Sequence, residues 1–121
     1  MIERDYQVLL HIKQHCDDIS EFLDDGVDSL NDFENDKMCF NAVAMSLLQI
    51  GELTKNFSDE FIEATKEQIP WKEIRGLRNI VAHGYDSLDK ETIWTVANNE
   101  VSELKDFCLS KINQYKKQNT R

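Results

Sequence analysis

Apolar residues recur at three- and four-residue steps along most of this chain, the spacing that gathers them on one side of an α-helix. Ile2, Tyr6, Leu9, Ile12, Cys16, Ile19 and Leu23 form one clean stripe and predict a first helix from about Glu3 to about Leu23. Gly26 to Asn35 reads as a polar connection rich in turn-forming residues. A second helix, about Asp36 to Phe57, carries Phe40, Val43, Leu47, Ile50 and Phe57 on one face and Ala44, Leu48 and Gly51 on another. Two apolar faces predict a central helix, packed on the bundle by one side and open to a partner by the other. Ser58 can cap a short helix with Asp59 and Glu60 in its first turn. Pro70 suits the start of a further helix, to about His83, whose buried side is Ile74, Leu77, Ile80 and Val81; Gly84 suits a left-handed exit. Asp89 is the expected N-cap of a last long helix with Trp94, Ala97, Val101, Leu104, Cys108, Ile112 and Tyr115 as its stripe, frayed over the final five or six residues. The pattern predicts an all-α, up-and-down bundle of four main helices plus a short one.

Composition narrows this further. A single Pro and four Gly in 121 residues favour long helices over an all-β fold, and 40% hydrophobic content suits one domain spanning 1–121. No run approaches eighteen apolar residues, and the Met-Ile-Glu-Arg-Asp start is not a signal peptide, so a cytoplasmic protein without membrane contact is expected. Cys16, Cys39 and Cys108 are odd in number, lack CxxC spacing and lie on apolar stripes, which predicts buried thiols in a reducing compartment.

The net charge is −9, but it is unevenly placed. Nine acids and no Lys or Arg lie between Asp17 and Asp36; without these nine the 23 acids fall to 14, matching the 14 Lys plus Arg. Within the helix from Pro70, Lys72, Arg75 and Arg78 face only Glu73, so a local basic cleft is compatible with an acidic chain. The global field would nonetheless slow the approach of a polyanion. The acidic run reads as a solvated surface or as a docking surface for a basic partner.

Candidate chemistry concentrates in Trp71 to Tyr85. Arg75, Asn79 and His83 form an outward i, i+4, i+8 stripe, while Arg78 falls near the rim of the apolar face. Arg78 and His83 are about 140° apart on a regular helix, too far to share a face. Either the helix loosens before Gly84 or a second copy of the chain completes the site. On spacing alone, a satisfied ion pair and a helix-end histidine is the ordinary reading. His11 and His15, one turn apart, could hold a metal, but no third ligand is near in sequence, and no metal or cofactor is expected. Glu52 could hydrogen-bond an arginine in the core or lie on a polar face. Gly-rich phosphate loops, nucleophile elbows and paired-carboxylate metal sites are lacking.

The string Arg78-Asn79-x3-His83-x-Tyr85 resembles the R-x4-H-x-Y signature of the HEPN superfamily, and its surroundings resemble the HepT-like toxin branch. The likeness extends to Gln49-Ile50-Gly51-Glu52, Ile69-Pro70-Trp71, Gly76, Asp89 and Trp94, and so covers nearly the whole chain. It implies a HEPN-like helical bundle that forms a homodimer, bringing two copies of Arg78 and His83 into one cleft that cuts RNA without a metal. His83 would take the 2′-hydroxyl proton or protonate the leaving 5′-oxygen, and Arg78 would neutralise charge on the phosphate. Asn79 would orient the phosphate or His83, and Arg75 and Lys72 would contact RNA phosphate. The resemblance also implies a type VII toxin–antitoxin pair, in which an MntA-like minimal nucleotidyltransferase antitoxin silences the toxin by adenylylating the motif tyrosine, here Tyr85. A non-catalytic helical module that binds substrate or nucleotide for a nucleotidyltransferase is the alternative, and a purely structural dimer a third. An intact Arg-Asn-His-Tyr set favours the enzyme.

Overall fold

Helix α1 (Glu3–Asp24) follows the first stripe, burying Val8, Leu9, Ile12, Cys16 and Ile19. The structure, a computed structural model, describes residues 1–84 and 89–119, except for the side chains of 80–84. The polar connection holds a short helix, α2 (Leu30–Glu34), because Ser29 caps it by accepting from Asp32 N at 3.1 Å and because Phe33 packs against Phe40 and Trp94. One aromatic side chain thus orders a segment whose composition reads as a turn.

Asp36 caps α3 (Lys37–Leu53), its carboxylate accepting from Cys39 N at 2.9 Å. This helix ends earlier than its apolar pattern suggests. Thr54 Oγ1 donates to Gly51 O at 2.7 Å, and the chain tightens into a 3₁₀ turn over Thr54–Asn56, satisfying carbonyls that a helix end leaves open. Ser58 caps α4 (Asp59–Thr65) as its sequence predicts. Helix α5 (Trp71–Gly84) ends one residue later than expected, so Gly84 closes the helix; Tyr85 lies outside the described residues. Asp89 caps α6 (Lys90–Thr95), and a π-helical turn at Val96–Glu100 joins it to α7 (Val101–Gln118). A π turn widens the helix, so Ile93, Ala97 and Val101 at successive four-residue steps share the buried side while Trp94 is only half-buried.

The main helices run up and down. Glu3 meets Tyr115 and Asp17 meets Lys105, so α1 and α7 are antiparallel. Cys39 reaches Phe22 at one end of α1 and Ser58 reaches Asp5 at the other, which sets α3 antiparallel to α1. Helix α3 is central, as its two apolar faces predict; on the second face Ala44 and Gly51 are buried and Leu48 half-buried, and Gly51 abuts α5. All three cysteines are buried and free; burial pushes the Cys16 thiol up to about 12 and the Cys108 thiol higher still, so neither is a thiolate near neutrality. Among the described residues there is no strand, no helix is long and apolar enough to cross a membrane, and no group of three His, Cys, Asp or Glu converges as metal ligands.

A buried carboxylate ties the start of α1 to the start of α4. Asp5 accepts from Ser58 N at 2.7 Å, Ser58 Oγ at 2.8 Å and Ile2 N at 3.3 Å. Each of these part-buried hydrogen bonds contributes about 0.5–1.5 kcal/mol, and Ser58, which donates two of them, is half-buried. Asp5→Ala should therefore lower unfolding free energy by at least about 2 kcal/mol, read as a lower urea midpoint with an unchanged slope. An unchanged midpoint would show that this carboxylate is not a structural tie.

Candidate functional site

Two anchors fix α5. At its start Trp71 is buried among Phe57, Phe61 and Phe107, and its Nε1 donates to Thr65 Oγ1 at 2.9 Å, which in turn donates to Phe61 O at 2.7 Å. Pro70 suits the position before this helix because it has no N–H to satisfy, and its carbonyl accepts from Glu73 N and Ile74 N. One and a half turns on, α5 lies directly against α3. A Cβ on Gly51 would sit 3.1 Å from Arg78 Cβ, Arg78 N and Ile74 O, so any larger residue would push the helices apart by a few tenths of an ångström and the close approach favours glycine.

That approach places Arg78 beside the last turn of α3. Its Nε donates to Glu52 Oε1 and its Nη1 donates to Asn79 Oδ1 at 3.2 Å. The pair is not in the core: the Arg78 and Glu52 side chains are 38% and 36% exposed. The Arg78 hydrogen bond holds the Glu52 carboxyl below the usual carboxylate range against the opposing effect of desolvation, with Lys55 Nζ, 3.4 Å away, adding to it. Arg75 Nη2 donates to Thr54 O at 3.4 Å, a cation at the negative end of α3. Lys72 and Asn79 are exposed. The last turn of α3 is thus a clamp for both arginines, with Glu52 taking one and Thr54 the other.

Of the residues singled out by sequence, the structure brings Arg78, Asn79 and Arg75 together on one side of α5, with Lys72 nearby on the same helix. The His83 side chain and Tyr85 lie outside the described residues. The backbone of α5 is α-helical through Gly84, so the helix does not loosen between positions 78 and 83. Those positions therefore remain about 140° apart around it. Of the two readings of Glu52, the arginine contact holds, but at the surface. The parts that sequence missed are Gly51 as the point of helix contact and the Thr54 carbonyl; the signals for Gly51 were its place on an apolar face one residue before an acid and its place in the Gln49-Ile50-Gly51-Glu52 string.

Among the described residues Arg78 Nε meets Glu52 and Nη1 meets Asn79, and no acceptor meets Nη2, a geometry that suits recognition of a phosphate or carboxylate. A family model described as ribonuclease HepT-like matches residues 12–110. A protein of Methanocaldococcus jannaschii, named as a candidate RNase, is 36% identical over 106 residues, which cover 87% of this chain and 94% of its own. A candidate RNase of Caldanaerobacter subterraneus subsp. tengcongensis is 39% identical over 98 residues, covering 79% of this chain and 83% of its own. A protein of Thermococcus cleftensis that carries the name ribonuclease HepT is 32% identical over 74 residues, 61% of this chain and 66% of its own. No solved structure matches.

The contact with Arg78 sets a pH dependence. Because the folded Glu52 carboxyl is lowered, its stabilisation is fully present above the ordinary glutamate value of about 4.3 and is lost as pH falls through the lower folded value. A carboxyl titration should place Glu52 below about 4.3 in the parent and return it towards that value in Arg78→Ala; equal midpoints would deny the contact. Gly51→Ala should cost about 1–3 kcal/mol, because the atoms in its way are largely α5 backbone. A variant as stable as the parent would show that the helices separate freely.

Proposed function

The chain belongs to the HepT-like ribonuclease family, and from that premise we propose that it is the toxin of a type VII toxin–antitoxin pair, cutting RNA at a composite, metal-independent site shared by two copies of the chain. The observation that carries this reading is α5 itself. Arg78 is clamped to Glu52 on an α-helix that stays regular through Gly84, so one copy has no evident means of turning positions 78 and 83 towards the same phosphate. A two-fold axis beside the exposed side of α5 supplies the second set.

The chemistry needs one group that moves a proton and one that stays charged. His83, ordinarily titrating near 6.5, takes the 2′-hydroxyl proton or gives one to the leaving 5′-oxygen. Arg78 remains cationic throughout and meets the charge that grows on the non-bridging oxygens. Asn79, already bonded to Arg78 Nη1, keeps the guanidinium plane oriented, and Arg75 and Lys72 extend the phosphate track along α5.

Control falls to Tyr85, two residues past His83. An MntA-like nucleotidyltransferase would transfer AMP from ATP to its hydroxyl, the phenolic oxygen displacing pyrophosphate from the α-phosphate and losing its proton, which would bring a phosphate to compete with the substrate's for Arg78.

Arg78→Ala and His83→Ala should each reduce cleavage of a mixed RNA substrate by at least about a hundredfold, the scale of one general acid–base group, without lowering stability beyond about 0.5 kcal/mol plus the loss of the Glu52 contact. Cleavage should survive EDTA. Tyr85→Phe should cut RNA yet gain no AMP mass when incubated with the nucleotidyltransferase and ATP. Cleavage abolished by chelation, or both Ala variants cutting like the parent, would overturn the metal-free mechanism; equal AMP gain on the Phe variant would remove Tyr85 from its role.

A further inference from the structure

Among the described residues the bundle is open on one side. Helices α5, α3, α1 and α7 pack in that order, and the remaining side, between α5 and the α6–α7 segment, is a groove of about 660 Å³. Its floor is apolar, with Ile74 and Leu77 from α5 facing Val101 and Leu104 from α7. Four carboxylates stand on its rim, Glu73 on one side and Glu100, Glu103 and Asp106 on the other, all exposed. No Lys or Arg lines it among the described residues, and the ion pairs described elsewhere in the protein involve none of the four.

We propose that this groove docks an amphipathic helix of a partner protein, one whose apolar stripe is flanked by Lys and Arg. Shape supports a helix. The lining along the α6–α7 segment runs from Thr92 to Ser110, about 27 Å at 1.5 Å per residue, which matches some five turns and exceeds the span of a compact ligand. Charge supports a basic one. Four carboxylates around an apolar floor would repel a nucleic acid and reward cations placed beside a hydrophobic ridge. A second copy of this chain fits poorly, because among the described residues its exposed large hydrophobics are Met1, Ile2, Met38 and Met45, of which only Met38 directly adjoins a lysine, Lys37. The groove uses the Glu73, Ile74 and Leu77 side of α5, away from Arg75 and Asn79, so the inference is independent of the ribonuclease reading.

The probe is a fluorescent fifteen-residue synthetic helix with leucines at alternating three- and four-residue steps and flanking lysines, titrated with the intact protein and followed by anisotropy. A second helix keeps the leucines but replaces the lysines with glutamates. The lysine helix should bind, and Glu103→Lys with Asp106→Lys, both on exposed positions and checked for fold by circular dichroism, should weaken it at least tenfold. Asp24→Lys with Asp25→Lys, outside the groove lining but equal in charge change, should weaken it less than threefold. No binding of the lysine helix, equal binding of the two helices, or equal effects of the two double variants would overturn the proposal. It would also fail if the parent alone self-associates in sedimentation and the rim variant does not, since a second copy would then cover the groove.

Discussion

The close contact of α3 and α5 at Gly51 governs the rest of the site. With 3.1 Å between a would-be Cβ and the Arg78 backbone, the two helices meet nearly main chain to main chain, and the side chains beside that point have little freedom in where they go. Glu52 follows Gly51 directly and takes Arg78; Thr54 ends the same helix and offers its carbonyl to Arg75. The buried Trp71 cluster prevents α5 from swinging about this contact, because its start is locked by an indole with both packing and a hydrogen bond. Rigid elements that hold a guanidinium by its Nε fix the direction in which its outer edge points.

This placement also separates the arginines from most of the acidic run. The acids between Asp17 and Asp36 fall on the last turns of α1, on α2 and on the connections flanking it, next to the start of α3. Arg75 and Arg78 are clamped at its end. A helix of 17 residues separates the two by about 25 Å, against a screening length of about 8 Å at physiological ionic strength. Charge in that run is therefore largely screened from the two arginines.

The fold was legible because its main helices carry unbroken apolar stripes and strong start signals: Asp36, Ser58 and Asp89 cap the helices they precede. What the pattern could not show came from tertiary contacts. Phe33 orders α2 by packing on Phe40 and Trp94, and Asp5, an ordinary first-turn acid by sequence, is buried because Ser58 comes to meet it. The last helix reads as one stripe, whereas a π turn shifts its register and buries Ile93 in place of Trp94. At the site, the motif itself named Arg78, Asn79 and His83, but its support on α3 is twenty-six residues earlier in sequence than Arg78 and depends on how closely two helices pack. Periodicity reports which face is buried, not how near the neighbour comes.

The central claim is that the site is shared between two copies, and complementation tests it most directly. Arg78→Ala and His83→Ala proteins, each inactive alone, are unfolded together, refolded at equal concentration and assayed on RNA. If Arg78 of one copy works with His83 of the other, each mixed dimer keeps one intact site of two, and random pairing should restore about a quarter of parental activity. No restoration, with mixed dimers demonstrated by mass, would place Arg78 and His83 of the same copy at one phosphate and contradict the shared site.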